Sequence, residues 1–107
     1  MPEANIIHIV RLNIDPAYEK EFNEWYDNKH LPEILSCPGW LSGRRFKALG
    51  EGPKYAAIYE VAGDWAFNTP EYHRVTGFFD FTPHVRDFSR IQLQPIYGKQ
   101  NEKEVTT

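Results

Sequence analysis

Two runs of this chain are apolar on both strand faces, and nothing else in the sequence constrains the fold as tightly. In residues 6–13, Ile6, His8, Val10 and Leu12 alternate with Ile7, Ile9 and Arg11. In residues 54–62, Tyr55, Ala57, Tyr59 and Val61 alternate with Ala56, Ile58 and Glu60. Side chains point to alternate faces of a strand, so a half-solvated strand reads apolar, polar, apolar; these two do not. Both therefore belong at the centre of a sheet. A single layer of helices covers one face only, so the other face needs a second layer. With 107 residues there is room for one domain and one core.

The rest of the chain fits around those two strands. Asp15-Pro16 is a helix start, with Asp as the cap and Pro where no bond is lost. At 100° per residue, Tyr18, Phe22, Trp25 and Tyr26 share one arc, with His30 at its rim. Pro32 is expected to end or kink this helix, and a short turn to Leu35 precedes the breaker Cys37-Pro38-Gly39. Residues 40–49, with Arg44, Arg45 and Lys47, read as an edge strand. Gly63-Asp64 caps a second helix, which Pro70 reopens over 70–79. Residues 78–88 read as irregular, and 90–97 as a last strand in which Pro95 marks an edge or an end. The order is β-α-β-β-α-β. The expected fold class is α+β, ferredoxin-like, a four-stranded antiparallel sheet with two main helices on one face. Residues 1–98 form the domain and 99–107 a polar C-terminal tail.

Composition removes several functions. The net charge is −3 and there is no Lys/Arg run, which argues against nucleic acid and against an anionic membrane. Cys37 is the sole cysteine, so no internal disulfide forms, and a reducing cytoplasm is the expected setting. No apolar stretch is long enough to span a membrane or direct export.

The segment WYDNKHLPEILSCPGWLSGRRF, followed by PKYAAIYEV, resembles the dimeric α+β barrel superfamily, particularly its EthD-like branch. The resemblance spans residues 6–97. It implies a homodimer formed by sheet-to-sheet packing, which supplies the second layer that the doubly apolar strands require. It also implies a ligand cavity between each sheet and its own helices. The superfamily includes cofactor-free monooxygenases, polyketide cyclases, lactone isomerases and haem-degrading enzymes, so the fold does not choose the chemistry. KYAAIYEV is loosely similar to the third-strand motif of RRM domains, but it lacks their glycines and the chain is acidic.

Among candidate catalytic residues, His8 is the sharpest. A histidine on an apolar strand face needs a partner or a task. It reads either as a core histidine bonded to a tyrosine hydroxyl or as a cavity residue like the first-strand histidine of the superfamily's polyketide cyclases. His30 reads either as a cap for carbonyls at a helix end or as a second cavity residue. His73, on the second helix, is a third candidate. Trp25, Tyr26, Tyr59, Tyr72 and Phe79 are candidate ligand-binding aromatics. The histidine spacings match no metal motif, no nucleotide glycine pattern occurs, and no serine or cysteine has a nucleophile's context. The expectation is a small hydrophobic or aromatic molecule handled by histidine acid/base chemistry with no metal and no cofactor. The alternative is a non-catalytic accessory protein using the same cavity.

Overall fold

Strand β1 (Ile6–Ile14) alternates in burial as strictly as its sequence alternates in position: His8, Val10, Leu12 and Ile14 are buried, and the residues between them are half-buried. The computed structural model describes residues 5–99 and 101 of the protein. Strands β2 (Trp40–Lys47), β3 (Tyr55–Val61) and β4 (Val85–Leu93) complete an antiparallel sheet in the order β2-β3-β1-β4. The two doubly apolar strands are its centre, and the basic strand β2 is an edge. β1 pairs His8 with Tyr59 on one side and with Gln92 on the other, so all three side chains share the inner face.

The helices lie on that inner face. A 3-10 turn (Pro16–Tyr18) opens on Asp15, whose carboxylate accepts from the Ala17 N–H at 3.0 Å. Helix α1 (Glu19–Trp25) follows, then a π turn (Tyr26–His30), then helix α2 (Leu31–Leu35). Pro32 therefore does not end the helix, and the irregularity falls in the π turn just before it. The Leu31 N–H reaches back to the Tyr26 carbonyl, five residues away. That wider spacing relieves the contact a proline ring makes with the carbonyl four residues earlier. Beyond β3, a 3-10 segment (Asp64–Asn68) leads into helix α3 (Pro70–Val75), capped by the Thr69 hydroxyl, which accepts from the Tyr72 N–H at 3.1 Å.

Two expected boundaries move. The second helix stops at Val75, short of 79, because Thr76 is extended and Gly77 has φ +99°. The last strand occupies Val85–Leu93 instead of 90–97. β4 bulges where it joins β1: the two-residue step from Arg11 to Asn13 is matched by the three-residue step from Ser89 to Arg86, and Asp87 in the bulge takes φ +54° while its carboxylate accepts from the Asn13 amide at 2.9 Å. That bulge disguised the strand's start, and Pro95 keeps it from running further. Of the expected tail, residues 99–107, only Lys99 and Asn101 fall within the described residues.

The core unites Val10, Leu12, Ala57 and Val61 of the sheet with Phe22, Tyr26 and Ile34 of the first helical run and Ala66 and Tyr72 of the second. The opposite face is apolar and uncovered in the single chain. Ile58, Ile9 and Ile91 stand in a row across β3, β1 and β4, with Leu93 opposite Ile7; Ile91 keeps 52% of its surface exposed.

Gly43 makes room for the interior. A Cβ there would lie 2.8 Å from the Tyr59 ring and 2.9 Å from the Leu31 side chain. Gly43→Ala is expected to lower stability by about 1–3 kcal/mol, the usual penalty for overpacking. Urea unfolding checks this, and an unchanged midpoint contradicts it.

Candidate functional site

Between the sheet and the π turn lies a chamber of about 70 Å³, open on the β4 side. His8 and Tyr59 form its floor, Tyr26 and His30 its helical wall, and Trp40 and Tyr72 another side. A wider cleft of about 500 Å³ adjoins it, lined by Asp64, Asn68, His73 and Gln92. Tyr72, Thr76 and Arg90 are walls common to both hollows.

The π turn sets the helical wall. In an α-helix, positions 25 and 30 point about 140° apart and cannot touch face to face. Bonding between residues five apart brings them into line. The Trp25 and His30 rings accordingly stack at 4.5 Å between centroids and 14° between planes. Tyr26 meets the same imidazole edge-on at 4.8 Å. His30 is 4% exposed, and its Nδ1 has no hydrogen-bond partner. Burial holds its pKa at about 4, against the opposing pull of Glu33 and with a smaller push from Arg45. The imidazole is thus neutral near pH 7, with a sealed, unpaired nitrogen. Since the helix runs on to Leu35, His30 does not cap a helix end.

His8 is fixed differently. Its Nδ1 lies 2.7 Å from the Gln92 amide nitrogen, its partner across the ladder. With the amide donating, Nδ1 accepts, and the proton of the neutral ring sits on Nε2. Trp40 and Phe67 pack edge-on at 5.7 and 5.1 Å. Burial, and then the positive charge of Arg90, lowers its pKa to about 4. The tyrosine bond expected of a core histidine is absent: Tyr59 bonds Tyr26, hydroxyl to hydroxyl at 2.6 Å. Burial raises both phenol pKa values, so both stay protonated.

The structure brings His8, His30, Tyr26, Tyr59 and Tyr72 together at the chamber. Trp25 stands behind His30 as a stacking support. His73 borders the outer cleft, away from the other two histidines. Phe79 lines neither hollow: it is 54% exposed at φ +52° and meets only the edge of Trp25. Sequence reasoning missed Arg90 and Gln92. Their signal was the alternation Arg90, Ile91, Gln92, Leu93, legible only once β4 is placed in register. The Cys37 thiol is buried, donates to the Glu33 carbonyl at 3.4 Å and has its pKa raised by burial, so it is no nucleophile. Among the described residues, no three His, Cys, Asp or Glu side chains group as metal ligands.

The sequence profile of a family described as a domain of unknown function, DUF4286, matches residues 5–72. No curated protein matches the chain. Among solved structures, an antibiotic biosynthesis monooxygenase superposes with a TM-score of 0.69 at 15% identity, covering 86% of this chain and 99% of that one. An EthD family protein of Bacillus halodurans C-125 gives 0.64 at 13% identity, covering 85% and 99%. A monooxygenase of Streptomyces coelicolor, solved with nanaomycin D, gives 0.63 at 13%, covering 95% and 96%. The fold is thus the ferredoxin-like α+β fold of the EthD and antibiotic biosynthesis monooxygenase proteins, as the sequence resemblance implied. At these identities the likeness extends to fold alone. No helix among the described residues is long and apolar enough to cross a membrane.

The buried histidines make stability depend on pH. Free imidazole titrates near 6.5, and both folded values are about 4. As pH falls from 6.5, the unfolded chain takes up protons that the folded one refuses, so stability drops. The fall levels off near pH 4, where both states are protonated. Between about pH 6.5 and 5, above most carboxylate titration, His8→Gln and His30→Gln are each expected to remove roughly half of the slope. Chemical denaturation at a series of pH values measures it; a flat wild-type profile in that window contradicts the assignment.

Proposed function

This chain belongs to the DUF4286 family, and we propose that it is a cytoplasmic homodimer. We propose further that each protomer binds a small aromatic molecule and moves a proton on it by histidine acid/base chemistry, without a cofactor. The observation that carries the reading is the His30 imidazole: buried, neutral and unpaired at Nδ1, it shares a chamber with a second neutral imidazole. An unpaired buried polar atom is costly, and the cost is recovered when a ligand supplies the missing bond. The neutral imidazole of His30 can accept a proton from an acidic C–H or O–H. The Tyr26–Tyr59 hydroxyl pair can donate to an adjoining oxygen where charge develops.

Size fixes how the ligand sits. A cavity that holds benzene measures about 150 Å³, roughly twice this chamber. The chamber therefore takes the reacting edge of the ligand, and the cleft, within the range of small-molecule sites, takes its body. The monooxygenase of Streptomyces coelicolor, a neighbour of this fold, holds the ligand nanaomycin D. An aromatic or polycyclic substrate for this chain rests on that likeness together with the aromatic walls.

The dimer follows from the outer face. Ile9, Ile58 and Ile91 form an apolar row that water contacts in a single chain, and sheet-on-sheet packing buries such a row. Wild-type protein is expected to sediment as a dimer at micromolar concentration. Ile91→Asp, on an exposed position, shifts it to monomer. A wild-type monomer in analytical ultracentrifugation removes the dimer.

Catalysis is tested by capturing ligands from an aromatic metabolite pool, identifying them by mass spectrometry and following deuterium uptake from D₂O by NMR. Exchange should fall by about 10²–10⁴-fold in His30→Gln with ligand affinity largely retained. Tight binding with no exchange in the wild type identifies an accessory binding protein instead.

A further inference from the structure

Arg90 lies on the inward-facing row of β4, opposite Val10 and two residues from the Gln92 that bonds His8. It borders both the chamber and the cleft. Among the described residues its guanidinium has no ion pair or hydrogen bond. Three other arginines of the sheet differ. Arg45 is held by Asp27 and Asn23, Arg86 by Asp15, and Arg11 by the Pro53 carbonyl. No carboxylate lines the chamber, so Arg90 is the one formal charge on its walls. Asp64 belongs to the wall of the cleft, on the segment after β3.

We propose that Arg90 selects a carboxylate-bearing aromatic ligand, holding the carboxylate where chamber and cleft meet while the ring edge enters the chamber beside Tyr72. The proposal rests on the cavity being a ligand site and names the ligand's class. Guanidinium presents a planar fork of N–H donors matched to a carboxylate, and it binds one in two parallel bonds. In open water such a pair is weak. Here the ligand's own ring and the Tyr72 ring cover part of the pair, which strengthens it over one in open water. The two neutral imidazoles offer an anion no competing counter-charge. The field of Arg90 reaches the chamber already, since it is the second cause, after burial, of the lowered pKa of His8.

The test uses the full chain and matched probes that differ only in charge: 1-naphthoate against 1-naphthamide, and benzoate against benzamide, at pH 7.5, by calorimetry and tryptophan fluorescence. The acids are expected to bind about tenfold more tightly than the amides, the gap narrowing with added salt. Arg90→Gln should bring the acids down to the amides' affinity and leave the amides unchanged. Arg90→Lys should keep part of the preference. Because Arg90 is exposed, urea unfolding of both variants should match wild type. If acid and amide bind wild type equally, or Arg90→Gln retains the preference, the role of Arg90 is overturned while the cavity stands as a ligand site. If no probe binds at millimolar concentration, both readings fall.

Discussion

β1 is hydrogen-bonded along both edges and must be covered on both faces, and the arrangement of the whole molecule follows from that one strand. Its inner positions meet the helices. Its outer positions present isoleucines that the chain's own helices cannot reach. The same strand carries His8, so the position that demands burial also places a titratable ring in the interior. Packing buries that ring, and its neutrality is a consequence of where it stands.

The second governing feature is the widened turn at Tyr26–His30. π turns cost hydrogen-bond geometry and are retained where they place something. Here the turn places two things at once. It lets the helix continue through Pro32, and it rotates His30 under Trp25 and against the chamber. A regular α-helical turn would send the imidazole away from that stack and leave the Tyr26–Tyr59 bond without its neighbour. Gly43 completes the arrangement by leaving space for the Tyr59 ring on the sheet side.

Charge in the interior is sparse and one-signed. The phenols are held protonated, both imidazoles are held neutral, and the thiol of Cys37 is held protonated. These are five groups of three chemical kinds, and burial acts on each in the same direction, toward the uncharged form. Arg90 escapes because its strand is an edge that the helices barely cover. The site is thus a neutral, aromatic recess with a cation at its lip.

Much of the fold was legible in residues alone. The alternation in 6–13 and 54–62 determined which strands are central, and Asp15-Pro16 and Thr69-Pro70 determined where helical segments open, because these are local signals of period and capping. His8, Tyr26, Tyr59 and Tyr72 could be chosen as neighbours because strand parity and helical spacing assign each to a face. What the sequence could not decide depends on groups far apart in the chain. The signal of Pro32 is local, and whether it ends the helix was decided by a turn whose bonding only a packed helix sustains. The start of β4 depends on a bulge against β1 and on Asn13 reaching Asp87, 74 residues away. Arg90 and Gln92 became part of the site only when that register was set, since one residue's slip would have turned both outward. Parity along a strand is written in its residues; which residue stands opposite is settled only by the partner strand.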